Sequence, residues 1–307
     1  MPNIAIIILN WKQPLLTINT ITSIKKINHP NFNYHLFLVD NGSKDNSTTL
    51  FRQKYSQDKN ITLISTTKNL GFAGGNNIAI KKALRQNFKY ILLINNDVIV
   101  EANFLSRLIT VLKNDNTIGL VVPKIYFAPG YEYHSNWYHK NEIGRVIWSV
   151  GSLMDWNNIY GKNIGIDEID HGQYDSPRTD LESISACCLL INSSALKKTG
   201  LISEDYFMYY EDNDFSFKFK SLGFKIAYEP SSVIWHLNSG SSSSGGGSLH
   251  DYFLTRNRLI FGFKYASLRT KFALFRDSIN RLFIGTFWQK KGVIDFYLHR
   301  FGKGSWQ

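Results

Sequence analysis

Cysteine is scarce: the 307-residue chain has two, side by side at Cys187 and Cys188. Neighbours in sequence rarely bridge, so no disulfide framework is expected and a reducing compartment fits. No apolar run approaches the roughly 18 residues that cross a bilayer, which argues against an integral membrane protein. The first apolar run, residues 4–9, has no basic segment before it and no cleavage site after it, so no secretory leader is expected. The dinucleotide fingerprint G-x-G-x-x-G is missing. No glycine-rich phosphate loop with a basic residue follows the first apolar run either, which sets aside a sugar nucleotidyltransferase.

What is present describes a globular chain. Hydrophobic residues make up 43% and aromatics 14%, enough for a substantial core in one large or two small domains. The net charge of +11 is unevenly placed. From residue 249 onward there are 11 Lys/Arg against 3 Asp/Glu, together with 14 aromatic residues. Such a surface meets something anionic and partly apolar, and the aromatic density fits phospholipid better than nucleic acid.

Strand-like runs at residues 4–9, 35–39, 61–65 and 90–94 alternate with helical patterns, as at Leu15, Ile18, Ile21 and Ile24. This order predicts an α/β fold with right-handed crossovers and a mostly parallel, Rossmann-like sheet. The strand-like runs end in polar or glycine-bearing stretches: Asn10-Trp11-Lys12, Asp40-Asn41-Gly42-Ser43, Lys68 to Asn77, and Asn95-Asn96-Asp97. Ligands of open α/β sheets bind beyond such strand ends, so the layout is that of a nucleotide site. An acid there, Asp97, is well placed to hold a hard cation that neutralises a diphosphate, although a helix cap would read the same. Residues 123–181 break into Tyr-, Trp-, Asn- and Gly-rich strands and loops. Residues 183–191 read as a buried strand whose first half is small enough to leave room for a ligand, or to pack closely. Glu211, Asp212 and Asp214 cluster where a helix over 215–222 begins; helical spacing puts Glu211 and Asp214 on one face, with Asp212 roughly 100° away. Residues 239–248 are all serine and glycine, a linker or a mobile loop. Leu268, Phe272, Phe275, Ile279 and Leu282 recur at helical spacing between basic residues.

Seven stretches in collinear order carry a resemblance: ILNWK, VDNGS, NLGFAGGNN, LLINNDV, YFMYYEDNDFSFKFKSLGFKI, IWHLNSGSSSSGGGS and YFLTRNR. The chain resembles family 2 glycosyltransferases of the A-type fold, especially rhamnosyltransferase-like members, over about residues 3–258. The resemblance implies a nucleotide-binding half over 1–122 and an acceptor half with a mixed sheet over 123–248. A basic, aromatic-rich helical region follows over 249–307.

It also implies a nucleoside diphosphate sugar as donor, a divalent metal (Mn²⁺ or Mg²⁺) and inversion at the anomeric carbon. Asp97 becomes a metal ligand and His236 the second, although only the last residue of the family's D-x-D position is acidic here. A neutral imidazole tilts the choice towards Mn²⁺. Asn10, Asp40, Asn69, Gly71, Asn96 and Arg256 become donor-binding candidates, Asp40 as acceptor for the imide N–H of uracil or thymine. Asp212 is the expected base, with Glu211 as runner-up. The first expectation for the donor is dTDP-rhamnose, with a UDP-hexose as the alternative. A catalytically silent carbohydrate- or partner-binding protein is the reading from another class. The acceptor is expected to be a lipid-linked or other glycan in bacterial surface polysaccharide assembly. The protein is then expected in the cytoplasm, peripheral on the inner face of the plasma membrane. A terminal helix packed on the domain, or a homodimer contact, are the alternatives for the basic helices.

Overall fold

A computed structural model describes residues 1–238 and 247–306. The chain opens with β1 (Asn3–Asn10), α1 (Pro14–Ile24), β2 (Asn33–Asp40), α2 (Ser47–Tyr55), β3 (Ile61–Ser65), α3 (Gly71–Arg85) and β4 (Tyr90–Ile94). The four strands run parallel in the order β3-β2-β1-β4. Their aliphatic runs suit burial on both faces. On one face Ile4, Ile6 and Ile8 pack with Ile21 and Ile24 of α1. On the other, Ala5 and Ile7 pack with Ala79, Ile80 and Ala83 of α3. Each fully buried Ile or Leu contributes about 1.5–3 kcal/mol, so this double-sided core fixes the register. That register pairs Asn10 with Asp40 and Asp40 with Ser65, and brings Ile8 against Ile94. The carboxyl ends of all four strands therefore lie side by side.

The second half comprises β5 (Val98–Val100), α4 (Phe104–Asn114), β6 (Ile118–Phe127), β7 (Ile147–Ser149), β8 (Ser152–Asp155), β9 (Tyr160–Asn163) and β10 (Cys188–Asn192). Then come α5 (Ser193–Thr199), α6 (Glu211–Ser221), β11 (Lys225–His236), α7 (Ser248–Tyr265), α8 (Leu268–Ile284) and α9 (Phe287–Tyr297). The sheet continues from β4 through β10, β6, β11 and β5, with β7 on β6. Strand β10 runs antiparallel to β4, and β5 antiparallel to β11, so the sheet becomes mixed in this half, as the resemblance implies, while the first four strands stay parallel.

Three differences from the sequence reading have local causes. The strand expected from residue 183 begins only at Cys188, because Ser183 turns its hydroxyl to Asn213 Oδ1 (2.7 Å) and Ala186 offers its N–H to Asp212. The helix expected from residue 215 begins at Glu211, so the acids occupy its first turn, where the helix dipole favours them. The strand that the sequence reads over residues 224–228 extends to His236 as β11, interrupted by an irregularity between Glu229 and Val233. Among the described residues no helix is long and apolar enough to cross a membrane. Most of the serine-glycine stretch, residues 239–246, lies outside the described residues.

Candidate active site

The Asp97 corner follows from sheet pairing. Strands β5 and β11 pair His236 with Val98, and the Leu237 N–H donates to the Asp97 carbonyl at 2.9 Å. The His236 Nε2 then lies 3.1 Å from Asp97 Oδ1, with both residues buried. Trp148 packs edge-on against the imidazole at 4.7 Å between ring centres. The sequence neighbour Trp235 faces Tyr126. Burial alone would lower the His236 pKa; Cys187 and the Asp97 carboxylate reverse this and push it up to about 10. The pair suits one divalent cation. Two donors each about 2.1 Å from an ion and at right angles stand about 3 Å apart, so a cation could take the place of the proton between Nε2 and Oδ1; the His236 Nδ1 has no hydrogen-bond partner among the described residues. No group of three or more His, Cys, Asp and Glu among the described residues has metal-site spacing, so the remaining ligands would come from the donor diphosphate or water.

The acids enter from the other side. The backbone leading into α6 is strained: Phe207, Tyr209 and Tyr210 all have positive φ (63°, 65° and 70°). Asn257 on α7 holds it there, its amide donating to the carbonyls of Tyr206 (2.8 Å), Met208 (2.7 Å) and Tyr209 (2.9 Å). Glu211 and Asp212 both line the cavity that results. Asp214 does not share that face: fully buried, it accepts from the Tyr206 and Tyr265 hydroxyls (3.2 and 2.9 Å) and pairs with Lys264 and Lys218. The cationic partners on α7 and α6 draw it inward, against the expectation from helical spacing. Burial raises both cavity acids above the usual carboxylate range. The N–H groups of Asn213 and Ala186 partly offset this for Asp212. The charge on Asp212 pushes Glu211 further, and Glu211 Oε2 has no hydrogen-bond partner among the described residues. Glu211 therefore holds its proton to higher pH than Asp212.

At the first strand ends the structure corrects two assignments. Asp40 lies beneath the cavity wall, accepting from Asn10 Nδ2 (2.9 Å), Ser43 and Thr48 Oγ1 (2.9 Å). Asn10 is wholly buried and also accepts from Thr17 (2.8 Å), to which Asn96 donates (3.1 Å). This chain braces three strand ends against each other, so Asn10 and Asp40 act as struts and do not present donors or acceptors to the cavity. The wall at that place is Asn41, whose amide donates to Asn69 Oδ1 and the Gly71 carbonyl, both at 3.0 Å. Gly71 has φ +73°, and an added Cβ would stand 2.3 Å from the Phe207 carbonyl oxygen. Its glycine is required by close approach to that strained segment. Arg256 is the third correction. Fully buried, it spends its guanidinium on the carbonyls of Asp205 and Tyr206 (3.3 and 3.1 Å) and on Asn257 and Tyr252, and does not reach the cavity.

Asn69, Gly71, Asn96, Asp97, Glu211, Asp212 and His236 thus face one cavity of about 280 Å³. Ser185, Ala186 and Cys187, the small residues ahead of β10, form part of its wall. Three acidic side chains line it, and no lysine or arginine does among the described residues.

A sequence profile described as Glycosyl transferase family 2 matches residues 5–168, more than half of the chain. The chain belongs to glycosyl transferase family 2. Within a curated set, it is 25% identical over 175 residues to "Low-salt glycan biosynthesis hexosyltransferase Agl10" of Haloferax volcanii. The match covers 57% of this chain and 51% of that protein, so the chain spans about half the length of the relative. Among solved structures, GalNAc-T7 with UDP, GalNAc and Mn²⁺ superposes with a TM-score of 0.62 at 15% identity, covering 97% of this chain and 58% of that one. The mannosyltransferase PcManGT from Pyrobaculum calidifontis, with GDP-Man and Mn²⁺, gives 0.54 at 12%, covering 99% and 87%. These likenesses show the glycosyltransferase A-type fold. In this family 2 chain, sequence reasoning missed Asn257 and Asn41. Both lie in stretches that carry the resemblance, Asn41 in VDNGS and Asn257 in YFLTRNR, but neither is given a role there.

Proposed function

We propose that this family 2 protein is an inverting, metal-dependent glycosyltransferase that moves a sugar from a nucleoside diphosphate to an acceptor hydroxyl. The observation that carries the reading is the cavity's lining: the Asp97–His236 pair and the Asp212 carboxylate face it without a lysine or arginine among the described residues. A diphosphate brought into such a wall is repelled unless a divalent cation comes with it. Asp97 and His236 would hold that cation, Mn²⁺ or Mg²⁺, and its chemistry when bound is to neutralise the diphosphate and stabilise it as leaving group.

The chain's own residues do the rest. Asp212, ionised first and oriented by the Asn213 and Ala186 N–H groups, takes the proton of the acceptor hydroxyl as that oxygen attacks the anomeric carbon. Glu211, still protonated near neutral pH, can donate to the acceptor or to the sugar. One in-line displacement with a single base inverts the anomeric centre. Asn69, Gly71 and Asn96 bind the nucleotide sugar, and Phe207, Met208 and Tyr209 cover the same side of the cavity. The donor we put first is dTDP-rhamnose. A UDP-hexose is the second reading, favoured by a relative named as a hexosyltransferase and a fold neighbour solved with UDP. The acceptor is a lipid-linked or other glycan in surface polysaccharide assembly, met at the cytoplasmic face of the plasma membrane. Residues 249–307 serve as the part of the chain that meets it.

A thermal-shift screen of nucleotide sugars with and without Mn²⁺ tests this. One donor should raise the melting temperature only with metal, and the same donor should then be consumed in a transfer assay. Equal stabilisation without metal, or by no nucleotide sugar, would contradict it.

A further inference from the structure

Helix α8 is amphipathic in the reverse of the usual sense. Its packed face is Thr270, Leu274 and Ser278. Leu268 (86% exposed), Phe272 (69%), Phe275, Ile279 and Phe283 (76%) point away from the protein. At about 100° per residue these five fall within an arc of roughly 80°. On the same wheel Arg269 and Arg276 border the stripe on one side and Lys271 on the other. Ile284, Phe287, Ile294 and Leu298, in and around α9, are exposed as well, and that helix carries Lys290 and Lys291. Large side chains exposed in such a row mark an interaction surface.

The charges say what kind. Asp277, the acid of α8, is held by Arg258 (2.7 Å) and Arg281 (2.9 Å), and Asp295, the acid of α9, is fully buried. The apolar stripe is therefore flanked by cations with no free carboxylate from either helix. A second copy meeting this stripe about a two-fold axis would set the same basic rows against each other. A nucleic acid would leave the phenylalanines unburied. We propose that the α8–α9 surface is a peripheral docking face for an anionic phospholipid bilayer, with Phe272 and Phe283 entering the acyl boundary and Arg269, Lys271 and Arg276 meeting headgroup phosphates. Docking stands apart from the transfer reaction. Only its use, carrying the cavity to an acceptor held in the bilayer, rests on the proposed function.

Sedimentation of the full chain with phosphatidylcholine vesicles, with and without phosphatidylglycerol and in the absence of donor and metal, reads docking alone. The wild type should pellet with the anionic vesicles and be released by salt. Phe272→Glu with Phe283→Glu should weaken partitioning about a hundredfold, since burying one phenylalanine is worth about tenfold or more. Arg269→Ala with Arg276→Ala should cost about fivefold per charge and remove the preference for phosphatidylglycerol. All four side chains are exposed, so melting temperatures and nucleotide binding should stay at the wild-type level. Wild type left in the supernatant with anionic vesicles would overturn the proposal. So would sedimentation equilibrium showing a dimer that Phe272→Glu dissociates. Vesicle binding without sugar transfer would count against the enzymatic reading and leave docking intact.

Discussion

The Asn257 amide lies 2.7 Å from the Met208 carbonyl oxygen, and this contact holds the backbone that delivers Glu211 and Asp212 to the cavity. It spans 49 residues of sequence, joining the first C-terminal helix to the strained entrance of α6.

Asn257→Ala should therefore affect structure and rate together. It removes one donor from the carbonyls of Tyr206, Met208 and Tyr209, with Tyr206 keeping the Arg256 guanidinium, at a cost of about 1–3 kcal/mol, and lets Phe207, Tyr209 and Tyr210 relax from positive φ. A lower melting temperature and a kcat reduced at least tenfold are expected, with donor binding less affected because Asp97 and His236 lie on other elements. Steady-state kinetics beside calorimetry checks this.

Gly71→Ala should be costly for its size. Its φ of +73° and the 2.3 Å approach of a Cβ to the Phe207 oxygen force the segments apart. A loss of about 2 kcal/mol or more in denaturant unfolding is expected, with weaker nucleotide binding.

The acid pair predicts a pH profile with an assignment inside it. Burial raises both carboxyl groups, so the acid limb of kcat/KM should lie above the ordinary carboxylate range. Asp212→Asn should lower kcat by about 10²–10⁴. Glu211→Gln should keep much of the rate and leave the limb where it is, because a neutral amide resembles the protonated acid. The stability effect has a definite sign. A carboxyl whose pKa rises on folding keeps a proton that the unfolded chain has released above about pH 4.3, so folding is disfavoured increasingly as pH rises from there. Glu211→Gln removes that cost and should raise the melting temperature at neutral and higher pH. A dead Glu211→Gln enzyme would assign the base to Glu211 instead.

Much of this was readable in the chain because the decisive patterns are local. The apolar run of β4 stops at Asn95, so the strand end and its acid could be seen without a partner. The acids before α6 announce a helix start for the same reason. Other features depend on distant pairing. His236 reaches Asp97 through the β5–β11 ladder, a contact across 139 residues that no window of sequence contains. Arg256 and Asp40 were placed at the donor by the resemblance, and their pairing is equally long-range. Only the folded chain shows the carbonyls, hydroxyls and amides that take up their hydrogen bonds. Periodicity likewise gave α8 its apolar stripe without saying that Thr270, Leu274 and Ser278 would form the packed side.

Titration of UDP and dTDP into the wild type and Asp97→Asn, each with and without Mn²⁺, tests the central claim most directly. One nucleotide should bind the wild type at least tenfold more tightly with Mn²⁺, and that gain should vanish in Asp97→Asn. Equal affinity with and without metal, or a metal gain that survives the substitution, would contradict the account.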